Sequence, residues 1–146
     1  MAYKDASATY KETRIKTAGQ GQLIVMLYDE AVRQLTKALE LLEKNNDKNN
    51  PGNIELISKA VMKTEEIITE LMVSLDFEQG GEIAKNLFAL YTWFNRELLE
   101  ANISQNADRI NVVRDMLSEL RNTWSAVSQN SVEQPNREAV GLNIAG

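Results

Sequence analysis

Apolar residues recur at intervals of three and four along most of this chain, the spacing that places side chains on one face of an α-helix. Such stripes follow one another along the sequence and are separated by segments rich in asparagine, glycine or proline. The first three run over 24–42, 54–75 and 83–101. The fourth is the most regular, and it comprises Ile110, Val113, Leu117, Leu120, Trp124 and Val127.

Short connections between these stripes favour antiparallel neighbours in space. A polar loop over 45–52 contains Pro51, and Gly80-Gly81 are predicted to end the second helix and reverse the chain. The pattern therefore predicts an all-α fold, an antiparallel up-down-up-down four-helix bundle over residues 17–128. We expect residues 1–16 to form a partly ordered N-terminal segment and residues 129–146 to form a flexible C-terminal tail.

Composition narrows the chemistry that this bundle can support. The 146 residues suit one domain and include no cysteine and no histidine, so thiolate metal sites are excluded and zinc or triad chemistry is disfavoured. The net charge of −5 opposes binding to nucleic acid. The polar N-terminus does not resemble a signal peptide, and no stretch is long and apolar enough for a membrane span. We therefore expect a cytoplasmic protein without stable membrane insertion.

An enzyme of the chorismate mutase type is a possible function for an all-α bundle, but it needs basic side chains in the core to hold a dianionic substrate. Here the basic residues fall off the stripes and are predicted to lie on a solvated face. The glycines of Gly19-Gln20-Gly21 are better explained as a turn into the first helix than as a phosphate loop, since no strand precedes them. We expect no catalytic residues, no metal and no cofactor.

The apolar band is wider than one stripe in the first two helices. Its additional residues are Leu23, Val25, Met26, Leu39, Leu56, Ile67, Met72 and Val73. They can be core, they can line a groove for an amphipathic segment of another protein, or they can form the interface of a homo-oligomeric structural bundle. The residues alone leave these alternatives open.

Two motifs resemble those of a known family. Residues 17–35 read TAGQGQLIVMLYDEAVRQL and residues 80–91 read GGEIAKNLFALY. Together with Tyr10 ahead of the first helix and Ala101-Asn102 at the end of the third, they resemble the flagellin export chaperones, the FliS family. The resemblance extends over roughly residues 10–127.

This resemblance implies a non-enzymatic chaperone that holds the disordered C-terminal segment of flagellin, prevents premature polymerisation and delivers it to the flagellar export apparatus. It favours the groove among the three alternatives, in a monomer or weak homodimer. It also implies that Tyr10 and Ile15 form a removable lid over the groove. The partner-binding residues carried over by the resemblance are Tyr10, Ile15, Thr17, Ala18, Leu23, Ile24, Leu27, Tyr28, Ile83, Asn86, Leu87, Leu90, Tyr91, Ala101 and Asn102.

The chain departs from the family pattern at two places. Gly19-Gln20 stands where the family usually has Ser-Pro, which predicts a looser start of the first helix. Glu30 stands where the family usually has glycine, and its added bulk and charge are expected to narrow or redirect part of the groove.

Overall fold

The computed structural model describes residues 20–45 and 50–133, and the chain forms four α-helices there. They are α1 (Gln20–Lys44), α2 (Pro51–Val73), α3 (Phe77–Ser104) and α4 (Ala107–Glu133). No strand occurs within these described ranges, so the predicted all-α bundle is confirmed. Helix α4 continues past residue 128, where the loss of the apolar stripe predicted the end of the bundle. The N-terminal segment 1–16 and the tail from residue 134 lie outside the described residues.

Each helix has two neighbours in the bundle. Helix α1 packs most extensively, against α2 and α4, and α3 packs against the same two helices from the opposite side. Helices α1 and α3 therefore lie diagonally across the bundle. Contacts between α1 and α4 pair early with late residues, because Gly21 approaches Ser128 and Asp29 approaches Arg121. That order is the signature of antiparallel helices.

Side-chain caps define where two of the helices begin. Asn50 precedes α2 and accepts a hydrogen bond from the backbone N–H of Gly52 at 3.1 Å, while Pro51 supplies the fixed φ that suits a first helical position. Asp76 precedes α3 and accepts from the backbone N–H groups of Glu78 at 3.0 Å and Gln79 at 3.1 Å. These caps satisfy donors that have no partner within the helix.

The reversal between α2 and α3 differs from the sequence prediction. Helix α2 ends at Val73, so the chain turns before it reaches Gly80-Gly81. Gly81 has φ 49° and ψ −123° and interrupts α3, separating its first turn from the remainder. The glycine is needed as predicted, but its role is to kink α3 and not to end α2. Ile83 follows this kink and is exposed, although the stripe placed it on the inner face.

The core is apolar and contains most of the predicted stripe positions. The fully buried side chains of largest volume are Tyr28, Tyr91, Phe94, Leu35, Ile57, Ile68, Leu71, Leu98, Ile110, Leu117, Val61 and Val113. Trp124 is buried, as its stripe position predicted. Among the additional residues of the wide band, Ile67 is buried, whereas Met26, Leu56 and Val73 are exposed. The wide band is therefore partly core and partly surface.

One hydrogen bond crosses the core between the diagonal helices. The hydroxyl groups of Tyr28 on α1 and Tyr91 on α3 bond to each other, and both side chains are buried. One oxygen donates and the other accepts, so neither buried hydroxyl is left without a hydrogen-bond partner. This pair holds α3 at a defined position relative to the helix that it does not pack against directly.

We expect Gly81→Ala to lower the free energy of unfolding by about 1–3 kcal/mol, because φ 49° with ψ −123° lies outside the regions open to residues with a side chain. An added Cβ would meet nothing within 4 Å, so the cost is backbone strain and not a clash. Gly52→Ala in the first turn of α2 is the control and should be neutral or stabilising by no more than about 1 kcal/mol. Urea unfolding measures both. Equal effects of the two variants on the free energy of unfolding would contradict a backbone conformation at Gly81 that requires glycine.

A second prediction concerns the tyrosine pair. Tyr91→Phe leaves the Tyr28 hydroxyl buried without its partner and should lower the free energy of unfolding by about 1–3 kcal/mol. The double variant Tyr28→Phe with Tyr91→Phe removes both polar groups and should be clearly more stable than the sum of the single effects. Denaturant unfolding of the four proteins gives the coupling energy. Additive losses would mean that the two hydroxyls act independently.

Candidate partner-binding surfaces

The structure places the residues carried over by resemblance at very different depths. Tyr10, Ile15, Thr17 and Ala18 lie outside the described residues. Ile83 and Asn86 are exposed, and Leu27, Leu87, Leu90 and Asn102 are half-buried. The others lie in the core or at its margin, and they are Leu23, Ile24, Tyr28, Tyr91 and Ala101.

The buried members of this set make contacts within the bundle that hold its helices together. Tyr28 and Tyr91 link α1 to α3, and the carbonyl of Ala101 accepts hydrogen bonds from the backbone N–H groups that end α3. Asn102 also bonds within the bundle, where its Oδ1 accepts from the Ser58 hydroxyl at 2.8 Å. Direct contact with a partner is thus open mainly to the half-buried and exposed members.

Burial also decides the ionisation of the tyrosine pair. It raises the pKa of Tyr91 to about 12 and raises the pKa of Tyr28 further, with the neighbouring tyrosine adding to the effect on Tyr28. The indole of Trp124 acts on the pKa of Tyr28 in the opposite direction but does not offset burial. Both hydroxyls are therefore neutral at physiological pH and serve as hydrogen-bonding groups and not as bases.

A half-buried apolar row runs along the junction of α3 and α4. Glu97 of α3 lies 3.6 Å from Arg109 of α4, which identifies the flank of each helix that faces the other. Steps of three and four from these two residues lead along the same flanks to apolar side chains. We call this row the α3–α4 furrow, and it comprises Ile83, Leu87, Leu90, Trp93, Val112, Met116 and Leu120.

Helices α3 and α4, which carry the α3–α4 furrow, pack less extensively than any other neighbouring pair. Five of its side chains are half-buried against the core, and its rim is formed by Ile83 and Val112, which are 46% and 49% exposed. Large apolar side chains in this arrangement can be covered further by a partner, while Met116 adapts to its shape.

A second surface lies on the other flank of α3, where it meets α2. Asn95 Nδ2 donates to Thr69 Oγ1 at 3.3 Å and the Ser58 hydroxyl donates to Asn102, so these two contacts fix the register of the helices. Between them lie exposed apolar side chains and polar groups. We call this the α2–α3 surface, and it comprises Met62, Glu65, Thr69, Asn95, Leu99 and Ile103.

Sequence reasoning missed most of the α2–α3 surface. Leu99 and Ile103 fall between the positions of the third stripe, and that off-stripe placement is the signal that could have found them. Glu65 and Asn95 carry no such signal, because their environment depends on the register between α2 and α3.

Glu30 does not line the α3–α4 furrow. Its carboxylate accepts two hydrogen bonds from Arg33, at 2.7 Å and 2.9 Å, and a third from Gln34 at 2.9 Å. The bond to Arg33 is the main reason that the pKa of Glu30 is lowered, and Lys63 of α2 contributes to the same direction. The charge that replaces the usual glycine is therefore neutralised locally, on the flank of α1 near α2.

The described residues offer little for catalysis of the chorismate mutase type. The buried polar side chains among them are Asn45 and Thr64, neither of which is basic. No group of three or more acidic side chains in the described ranges is arranged to hold a metal ion. None of the helices described is long and apolar enough to cross a membrane.

Comparison with known proteins identifies the family. The family model described as flagellar protein FliS matches residues 2–131 of this chain. The flagellar secretion chaperone FliS of Salmonella typhimurium is 35% identical over 127 residues, which cover 86% of this chain and 89% of that protein. Its counterpart in Escherichia coli is 31% identical over 126 residues, covering 85% and 88% of the two chains. The flagellar secretion chaperone FliS of Bacillus subtilis is 27% identical over 141 residues, which cover 97% of this chain and 98% of that protein. Since these matches run through nearly all of the sequence, this protein belongs to the FliS family of flagellar secretion chaperones.

Proposed function

We propose that this chain binds the disordered C-terminal segment of flagellin in the bacterial cytoplasm, prevents its premature polymerisation and delivers it to the flagellar export apparatus. Family membership supports a client of this kind. The observation that carries the proposal is the α3–α4 furrow, a row of large apolar side chains left half-covered along the loosest junction of the bundle. Binding requires no covalent chemistry.

The furrow suits a segment that folds as it binds. An unfolded client contributes apolar side chains that complete the burial of Leu87, Leu90 and Trp93, which are already packed against the core on one side. Burial of apolar area drives this association, and the entropy lost in ordering the client limits its net affinity. A chaperone that must later release its client benefits from this limit.

The client surface is formed by side chains on rigid helices. Leu90 is adjacent to Tyr91, and the Tyr91 hydroxyl is hydrogen-bonded to Tyr28 of α1. The side chains of the α3–α4 furrow on α3 are therefore held in place before the client binds. Preorganisation of this kind lowers the entropic cost on the chaperone side of the interface. The client therefore bears most of the ordering cost.

The first test compares two exposed apolar positions. Val112 on the rim of the furrow is 49% exposed and Leu56 on α2, away from the furrow, is 45% exposed. Val112→Glu should weaken binding of cognate flagellin by roughly tenfold or more, because a charge would be buried beneath the client. Leu56→Glu should change affinity by less than about twofold. Isothermal titration calorimetry measures both constants.

Two controls make this test decisive. Flagellin without its C-terminal segment should fail to bind the unaltered chain, and circular dichroism should show that both variants retain the bundle. A chain that forms a concentration-dependent dimer and ignores flagellin in sedimentation would overturn the proposal in favour of a homo-oligomeric bundle.

The proposal includes the N-terminal lid expected from Tyr10 and Ile15. A segment that covers the client surface reduces apparent affinity in proportion to the time that it is in place. Deletion of residues 2–14 should therefore tighten flagellin binding, by roughly tenfold if the surface is covered for about nine-tenths of the time. Deletion of 134–146 is the matched control and should leave the affinity unchanged. Unchanged or weaker binding after the first deletion would remove the lid from the proposal.

A further inference from the structure

The α2–α3 surface has apolar side chains that the bundle does not cover. Leu99 is 51% exposed, Met62 is 56% exposed and Ile103 is 73% exposed. The register set by Thr69 with Asn95 and Ser58 with Asn102 places Leu99 and Met62 at similar heights on adjacent antiparallel helices. They form one patch and are not scattered surface residues.

Two hydrogen-bond acceptors within this surface have no partner among residues 20–45 and 50–133. The Thr69 hydroxyl donates to the carbonyl of Glu65 at 2.9 Å, so it accepts from the Asn95 amide nitrogen, and this fixes the orientation of the Asn95 side chain. These acceptors are Oδ1 of Asn95 and Oε1 of Glu65, both shielded from solvent, and the described part of the chain supplies no donor to either. Burial raises the pKa of Glu65, because removal from water disfavours the charged carboxylate.

A partner that pairs with these two oxygens must supply hydrogen-bond donors, and one donor should carry a positive charge because Glu65 is a carboxylate. A carboxylate next to an amide oxygen is complementary to the N–H groups of arginine or lysine, whose aliphatic stems can lie along Leu99 and Met62. An acidic partner would bring like charges together and leave the acceptors unpaired. None of the six residues of the α2–α3 surface is basic, so they do not themselves supply a cation to a second copy docked through the same residues.

We propose that the α2–α3 surface binds an amphipathic helix of another protein, whose apolar face carries one arginine or lysine directed at Glu65 and Asn95. The valley between two antiparallel helices accepts a third helix along its length, with apolar side chains at intervals of three and four. The surface lies on the flank of α3 opposite the α3–α4 furrow. Because this surface is distinct from the furrow proposed for flagellin, the inference goes beyond that proposed function.

The test uses two synthetic helical peptides, blocked at both ends, with leucines at i, i+4, i+7 and i+11. One peptide carries arginine in the middle of this leucine face and the other carries glutamine there. The full chain, without flagellin, should bind the arginine peptide roughly tenfold more tightly in calorimetry, as expected of a charge-assisted hydrogen bond. Glu65→Gln should abolish this preference and leave the affinity for the glutamine peptide nearly unchanged.

Two further variants locate the peptide. Leu99→Ser should weaken binding of both peptides equally, because it removes apolar contact without touching the acceptors. Leu56→Ser, at an exposed leucine outside the surface, should have no effect. Thermal unfolding should show that Glu65→Gln is at least as stable as the unaltered chain, since a desolvated carboxylate is replaced by an amide.

Several results would overturn the proposal. They are equal binding of the two peptides, no binding of either peptide, a preference for arginine that survives Glu65→Gln, and equal losses from Leu99→Ser and Leu56→Ser. A lower thermal stability of Glu65→Gln would show that the carboxylate has a structural role. Dimerisation of the chain that Leu99→Ser abolishes would assign the surface to a second copy.

Discussion

The position of α3 is the constraint on which both proposed binding surfaces depend, and the hydrogen bond between Tyr28 and Tyr91 contributes to it together with packing against α2 and α4. Helix α3 packs less extensively than α1 does, and of its two neighbours it packs less against α4 than against α2. A polar bond to the diagonal helix is directional in a way that apolar packing is not, so it fixes the rotation of α3 about its axis as well as its depth. That rotation decides which side chains face α2, which face α4 and which are buried. Because both hydroxyls remain neutral and satisfied, this specificity is obtained without a buried charge.

Once α3 is fixed, its two flanks acquire different chemistry. The flank towards α4 presents Leu87 and Leu90, which are apolar and partly covered. The flank towards α2 mixes the exposed Leu99 with the polar groups of Thr69 and Asn95. An apolar row accepts many client sequences, whereas unpaired acceptors select for a donor at one place. One helix can thus serve a permissive surface and a selective one.

The sequence predicted the bundle because its local signals agree. The four apolar stripes and the polar segments between them indicated four helices, and burial of Leu117 and Trp124 followed from their regular spacing. The kink at Gly81 was not predicted, because Asp76 can cap a helix earlier than the glycines suggest. The Leu87 and Leu90 positions followed from resemblance. The unpaired oxygens of Glu65 and Asn95 could not be predicted, because they depend on the register between two helices and not on spacing within one.

A bundle optimised only for stability would not keep these features. Half-covered leucines forgo part of the free energy that full burial would provide, and a desolvated carboxylate without a cation costs more than a neutral side chain would. The well-packed side of the molecule, where α1 meets α2 and α4, can offset these costs because its core residues are almost completely buried. The most extensive packing therefore involves α1, whereas the two surfaces proposed for recognition lie on the flanks of α3. A partner that covered either of the proposed surfaces would supply burial or hydrogen bonds that the described residues lack. Its binding would therefore also complete the packing around α3.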